Sequence, residues 1–224
     1  MRQMKIYLLC ISLAGLMGSS HVLAKVPQGS YQVQIIAADM CCKGCVQKVA
    51  GQLYAAPGVT DVNANLKDRT VAVTVSQNKG ATLEQLWQAV AAGKGGPTKL
   101  TTGGATFTLV PPENLDSNQK LSASTSHIII ENLNHQGRAQ KIANQLYAMR
   151  GITKVSADAQ PDTLVVTSEQ EISPWALIGA VTGVQERPKA IVGSYGRFDI
   201  EWSAPSPSNP NQQAQQLNNG GIQR

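Results

Sequence analysis

Residues 44–55 read GCVQKVAGQLYA, and residues 137–148 read GRAQKIANQLYA. The similarity extends on both sides, because residues 35–75 align without a gap on residues 128–168, at a constant offset of 93 and with 17 identities in 41 positions. Unrelated sequences of ordinary composition match at roughly one position in sixteen, so chance does not explain the alignment. The chain therefore contains a tandem duplication, and the same structural unit is expected twice.

Each copy has the pattern of a βαββαβ unit. Thr82 is a good N-cap for a helix, and Ser173 and Pro174 open the corresponding helix of the second copy as N-cap and first helical residue. The second copy runs over residues 128–202. The elements predicted in the first copy are strands at 31–37, 59–65 and 71–75, helices at 44–55 and 83–92, and closing strands at 99–102 and 106–110. The expected fold class is α/β, as an α+β sandwich of two such units in tandem.

The first 24 residues have the three parts of a secretory signal peptide. Arg2 and Lys5 form a basic start, residues 6–17 a largely apolar run of 12, and residues 22–24 (VLA) a cleavage pattern. Twelve apolar residues are too few to span a bilayer. We therefore predict an exported protein, periplasmic or secreted, that is cut after Ala24 and has no membrane span in its mature form.

Composition divides the rest of the chain into four segments. We predict a first domain at 25–110, a linker rich in Pro, Ser, Asn and Asp at 111–126, a second domain at 127–202 and a disordered tail at 203–224. Without the signal peptide the 19 basic residues fall to 17 against 14 acidic ones, a net charge of +3. This charge is too small and too scattered to indicate a nucleic-acid partner or an anionic membrane surface.

The three cysteines that remain after removal of the signal peptide are Cys41, Cys42 and Cys45. A disulfide framework would spread an even number of cysteines along the chain, whereas these cluster where the first strand ends and the first helix begins. Unpaired N–H groups and the helix dipole favour thiolates there. Thiolates select soft ions such as Cu(I) and Zn(II). Without a nearby His or carboxylate ligand, low-coordinate Cu(I) fits better than zinc, which takes four ligands in structural sites.

Met40, Cys42 and Cys45 match the Gly-Met-x-Cys-x-x-Cys motif of the heavy-metal-associated domain family, although Asp39 replaces the glycine. Over residues 31–102 the chain resembles this family, which includes copper chaperones, periplasmic mercury-binding proteins and modules of metal-pumping ATPases. The resemblance implies a ferredoxin-like fold and a metal site at Cys42 and Cys45, with Zn(II) or Hg(II) as alternatives to Cu(I). It also implies that Met40 is a buried support for the loop.

The same resemblance places Lys94 where copper chaperones have a lysine that offsets the charge of the bis-thiolate site. Cys41, in the variable position of the motif, is either a third ligand or a thiol that pairs with a neighbour when metal is absent. In the second copy His135 aligns with Cys42 and Arg138 with Cys45. A guanidinium has no lone pair to offer a metal, so only the first copy is predicted to bind metal.

The predicted function is binding of a soft metal ion, with Cu(I) favoured, for transfer to a thiolate-bearing partner or for sequestration outside the cytoplasm. This function needs no enzymatic reaction. Two other functions stay open. A thiol-disulfide oxidoreductase also has C-x-x-C at a helix start, but its usual aromatic-Cys-Gly-Pro-Cys run is absent. An extracellular interaction module would use the cysteines structurally.

Overall fold

A computed structural model describes residues 29–78, 80–133 and 137–203. The predicted signal peptide, His135 and residues 204–224 of the predicted tail lie outside these ranges. The described elements, in chain order, are β1 Ser30–Ala37, α1 Lys43–Tyr54, β2 Val59–Asn65, β3 Thr70–Ser76, α2 Leu83–Ala92, β4 Pro97–Thr101, β5 Ala105–Val110, β6 Thr125–Ile129, α3 Arg138–Tyr147, β7 Ile152–Ala157, β8 Thr163–Ser168, α4 Pro174–Gly183, β9 Ala190–Gly193 and β10 Gly196–Trp202.

The ten strands form one antiparallel sheet in the order β2-β3-β1-β4-β5-β10-β9-β6-β8-β7. The N-terminal half, residues 29–110, contributes β2-β3-β1-β4 followed by β5, and the C-terminal half, residues 125–203, contributes β7-β8-β6-β9 followed by β10. Each half thus has the ferredoxin-like strand order, and the predicted fold class is confirmed. None of the helices in the described part of the chain is long and apolar enough to cross a membrane.

Local sequence explains where these elements begin and which faces they bury. Helix α2 begins with a capping box, in which the Gln85 amide donates to Thr82 Oγ1 at 3.2 Å and the Thr82 amide donates to Gln85 Oε1 at 2.9 Å. In β3 the alternating Val71, Val73 and Val75 are fully buried, as the period of a half-buried strand requires. The helices bury one stripe each, for example Val49 and Leu53 of α1.

The two halves meet in the middle of the sheet, where β5 pairs with β10 over six residues. An aromatic cluster from both halves packs beside this junction. Its closest ring pairs are Phe107 with Trp175, at 5.0 Å between centroids, and Trp87 with Phe198, at 5.2 Å. Ser173 Oγ also donates to Glu84 Oε1 at 2.7 Å, from the N-cap of α4 to the first turn of α2. The halves therefore share one sheet and one hydrophobic core.

The segment predicted as a linker is ordered rather than featureless. It contains two short 3-10 turns, at Pro112–Asn114 and Ser117–Gln119, and it buries Leu115. Strand β6 begins at Thr125, two residues before the predicted boundary of the second domain. The sequence of this segment has no periodic apolar pattern because its short turns bury a single residue and not a continuous face of a helix or strand.

The outermost strands, β2 and β7, are each capped by a tyrosine of the preceding helix. Tyr54 Oη accepts from the Val62 amide at 3.2 Å, and Tyr147 Oη accepts from the Val155 amide at 3.0 Å and donates to the Val155 carbonyl at 3.3 Å. Both edge strands also contain a register irregularity. Unpaired edges are sites of edge-to-edge association, so these hydroxyls occupy hydrogen-bonding groups that another chain could use.

We expect the double substitution Tyr54→Phe and Tyr147→Phe to increase self-association, because it frees edge amides without removing the rings. A hydrogen bond contributes about 1 kcal/mol. For each edge amide that loses its hydroxyl partner, self-association is therefore expected at a roughly fivefold lower protein concentration, which sedimentation velocity measures. The matched control is Tyr31→Phe, which removes a hydroxyl that donates to the Ala81 carbonyl away from both edges. Equal association of the double variant and this control would contradict the capping role.

Candidate metal centre

The cysteine loop between β1 and α1 is held from two sides by backbone hydrogen bonds. The Ala38 and Asp39 amides donate to the carbonyls of Gly96 and Gly95, both at 2.9 Å. On the other side, the Ala37 amide donates to the Arg69 carbonyl at 2.8 Å, and Arg69 Nη1 donates to the Ala38 carbonyl at 2.9 Å. The loop is therefore fixed by the turn between β2 and β3 and by the turn after α2.

Two glycines allow the turn after α2 to approach the site so closely. Gly96 has a φ of +58°, and a Cβ there would lie 2.2 Å from Asp39 Oδ2. Gly93 ends α2, and a Cβ there would lie 2.6 Å from the Cα of Val49 in α1. A side chain at Gly96 would combine a left-handed backbone with a collision against the Asp39 carboxylate, and a side chain at Gly93 would collide with the backbone of α1.

The three sulfurs converge at the N-terminus of α1. Cys42 is the N-cap, and its Sγ accepts from the Cys45 amide at 3.3 Å. Cys45 Sγ lies 2.7 Å from Cys42 Sγ and 3.8 Å from Cys41 Sγ, and all three sulfurs lie within 4.8 Å of one another. Sulfurs that each bond a cation at about 2.3 Å stand roughly 3.8 to 4.6 Å apart, according to the bond angle. The cluster fits a single soft cation once Cys42 and Cys45 separate by roughly 1 Å.

Hydrogen bonding within the cluster makes its thiols chemically different. The hydrogen bond from the Cys42 side chain lowers the pKa of Cys45 to about 7. The hydrogen bond between Cys41 and Cys45 has the opposite effect on Cys41 and raises the pKa of that thiol. Cys45 is thus the sulfur that ionises most readily of these two, because its thiolate accepts hydrogen bonds from its neighbours.

The structure places the other predicted site residues around this cluster. Met40 is fully buried in the core beneath the loop. Lys94 is exposed, with a left-handed φ of 58°, in the turn after α2 whose carbonyls hold Ala38 and Asp39. Among residues 29–78, 80–133 and 137–203, no hydrogen bond or ion pair is made by the Lys94 side chain. In the same ranges, the three cysteines form the one cluster of His, Cys, Asp or Glu side chains suited to a metal ion.

At the equivalent position of the C-terminal half, Arg138 fills the place of Cys45. Its Nη1 donates to the carbonyls of Glu131 and Asn132 at 2.8 and 3.0 Å, and its Nε donates to Glu186 Oε2 at 2.9 Å. The guanidinium holds the pKa of the Glu186 carboxyl below its usual value. Leu133, which aligns with Met40, is likewise buried. Arg138 thus connects the described part of this loop to Glu186, and the sequence of the loop contains no cysteine.

The sequence predicts the sulfurs but not the residues that hold their loop. Arg69, Gly95 and Gly96 carry no motif, and they reach the site only through the fold. The GKGG run at residues 93–96 was the one available signal, because consecutive glycines mark a close backbone approach. The alignment predicts that Arg138 replaces a ligand, whereas its hydrogen bonds to two loop carbonyls depend on distances that the sequence does not contain.

Residues 34–95 match the sequence model of the heavy-metal-associated domain family. Over these residues the chain is similar to that family, and the predicted resemblance is confirmed for this part of the N-terminal half. This similarity and the convergent thiol cluster together support the binding of a soft metal ion. No curated protein sequence matches the chain significantly.

Several solved structures are similar to parts of the chain. The N-terminal soluble domains of Bacillus subtilis CopA have 17% identity, with 80% of this chain and 97% of that chain covered and a TM-score of 0.29. The water-soluble region of the P-type ATPase CopA from Bacillus subtilis has 16% identity, with 80% and 95% covered and a TM-score of 0.28. A structure described as "Crosstalk between Cu(I) and Zn(II) homeostasis" has 15% identity, with 35% and 97% covered and a TM-score of 0.25. At these identities and TM-scores, the similarities do not indicate a function for this chain.

Proposed function

We propose that this protein binds one Cu(I) ion outside the cytoplasm and either passes it to a thiolate-bearing partner or sequesters it. The observation that carries the proposal is the convergence of three sulfurs within 4.8 Å at the start of α1, in a segment similar to the heavy-metal-associated domain family. Cys42 and Cys45 are the principal ligands, and Cys41 is the third. Because Cys41 and Cys42 are exposed, a partner thiolate can reach the ion and displace one sulfur at a time.

The preference for Cu(I) over Zn(II) rests on the number of ligands. The described part of the chain adds no His or carboxylate to the three sulfurs. A structural zinc site takes four ligands, whereas soft thiolates with low coordination suit Cu(I). Hg(II) has similar ligand chemistry and is the principal alternative.

The surrounding residues have supporting roles in this proposal. Met40 fills the core under the loop, and Cys41 and Cys42, which follow it, are exposed. The Lys94 ammonium offsets the negative charge of the metal-thiolate site from the turn that holds the loop. We further propose that the C-terminal half is a degenerate copy without ligands, and that its contribution is to complete the shared sheet and core.

Export and the absence of an enzymatic reaction are also part of the proposal. The basic, apolar and cleavage segments of residues 1–24 support export, and an exported protein starting at Lys25 would agree with cleavage after Ala24. Metal transfer by ligand exchange breaks no covalent bond of a substrate. Turnover in a peptide disulfide-exchange assay that Cys42→Ser abolishes would instead favour an oxidoreductase.

We expect X-ray absorption spectra of the reduced, Cu(I)-loaded full-length protein to show three sulfurs around copper, and two in Cys41→Ser. The reason is that Cys41 Sγ already lies 3.8 Å from Cys45 Sγ, close to the separation of about 4 Å that two ligands of a three-coordinate ion require. An excess of Zn(II) is expected to leave copper bound. Displacement of copper by Zn(II), or a first shell of nitrogen or oxygen, would contradict the proposed function.

A further inference from the structure

In both halves, a guanidinium donates a hydrogen bond to the same carbonyl of the loop before the helix. In the N-terminal half, Arg69 Nη1 lies 2.9 Å from the Ala38 carbonyl. In the C-terminal half, Arg138 Nη1 lies 2.8 Å from the carbonyl of Glu131, which aligns with Ala38 at the offset of 93. The two arginines are not at equivalent positions of the alignment, so each half forms this contact with a residue from a different element.

The origin of each arginine decides whether the helix start is free for a metal ligand. Arg138 is the first residue of α3 and stands where the N-terminal half has Cys45. The residue that aligns with Arg69 in the C-terminal half is Asp162, in the hairpin between β7 and β8. Its Oδ1 accepts from the Leu133 amide at 2.9 Å. A carboxylate cannot donate to a carbonyl, so the donor in this half comes from the helix. In the N-terminal half the donor comes from the hairpin, which leaves position 45 to a thiol.

We propose that Arg69 is a positioning residue for the metal site, a role that rests on the proposed function. Its side chain fixes the Ala38 carbonyl, and its own carbonyl fixes the Ala37 amide at 2.8 Å. Cys42 follows Ala38 by only four positions, so the anchored carbonyl limits the positions that Cys41 and Cys42 can take relative to Cys45. Arg69 touches no metal ligand and acts through the loop backbone.

The side chain of Arg69 contributes to the loop more than to the fold. It is exposed, and it has a left-handed φ of 52°. The backbone hydrogen bond between the Arg69 carbonyl and the Ala37 amide needs no side chain and stays available in an alanine variant. Loss of the guanidinium therefore frees one end of the loop while the strand pairing of β1 with β3 is maintained.

The test compares Arg69→Ala with the matched variant Arg138→Ala in the full-length, reduced protein. In Arg69→Ala we expect faster amide hydrogen exchange at residues 39–42 without metal, and roughly tenfold weaker Cu(I) binding, the lower end of what loss of an outer-shell partner costs. Arg69→Lys keeps a charged donor group and is expected to restore part of the protection from exchange and part of the Cu(I) affinity. Arg138→Ala is expected to speed exchange at residues 131–133 and to leave Cu(I) affinity unchanged.

Three outcomes separate this inference from the proposed function. Unchanged Cu(I) affinity and unchanged exchange in Arg69→Ala would overturn the positioning role alone. Equal weakening by Arg69→Ala and Arg138→Ala would also overturn it, because the effect would then follow general stability. Failure of the wild-type protein to bind Cu(I) would refute the proposed function and with it the positioning role for metal.

Discussion

Replacing Cys45 with serine is expected to weaken Cu(I) binding by roughly a hundredfold to a thousandfold. Structural zinc sites in zinc-finger peptides gain about 10–16 kcal/mol from four ligands, so one ligand accounts for roughly 2.5 to 4 kcal/mol, and each 1.4 kcal/mol changes the affinity tenfold. Cys45 is the shared neighbour in the cluster, since both other sulfurs lie within 3.8 Å of it. A Cu(I) competition titration with a chromogenic chelator measures the change.

The control for this substitution is Cys41→Ser, which alters the same cluster at its more distant sulfur. Its expected effect is smaller, roughly tenfold, because Cys42 and Cys45 still provide a bis-thiolate pair. The order of effects, with Cys45→Ser far more severe than Cys41→Ser, is the informative result. If Cys45→Ser bound Cu(I) as tightly as the wild-type protein, the assignment of the ligands would be wrong.

Replacing Phe198 with alanine is expected to lower the free energy of unfolding by about 3–5 kcal/mol and to destabilise both halves together. Phe198 is 3% exposed and lies in the C-terminal half, but its ring packs 5.2 Å from Trp87 of the N-terminal half. A change of this size corresponds to a decrease in Tm of roughly 10 °C for a chain of this length. Differential scanning calorimetry is expected to show one transition before and after the substitution.

The control for the core substitution is Phe198→Leu, which keeps most of the buried volume and is expected to cost less than about 1.5 kcal/mol. Hydrogen exchange at residues 71–75 of β3 reports whether the N-terminal half is affected at a distance. Two separate transitions, of which Phe198→Ala lowers the midpoint of only the one that belongs to the C-terminal half, would contradict the shared core. Because the isolated N-terminal half would expose β5 and its aromatic contacts, metal-binding tests belong on the full-length chain.

Local patterns were sufficient to predict most of the secondary structure. The bounds predicted for β2 and α2 are those observed, because a proline-glycine turn precedes β2 and a capping box begins α2. Helix α1 begins one residue earlier than predicted, at Lys43, with Cys42 as its N-cap. Strand β4 begins at Pro97, two residues earlier than predicted, in a position that a pattern of apolar residues does not reveal.

The joining of the halves could not be predicted in the same way. Pairing of β5 with β10 brings together residues about 90 positions apart, and a local sequence pattern does not indicate the partner of a strand at such a distance. The aromatic residues of the junction come from both halves, and their packing against one another is a property of the tertiary structure. Similarly, the motif predicted Cys42 and Cys45 as a pair, whereas the position of Cys41 depends on the anchoring of the loop.

The most direct test of the account is a competition titration of Cu(I) against bicinchoninate, with the reduced full-length protein and its Cys42→Ser, Cys45→Ser double variant. One Cu(I) per chain is expected to be retained by the wild-type protein, and none by the double variant. Retention of no copper by the wild-type protein, or of one copper by the double variant, would contradict the assignment of the metal centre to these sulfurs.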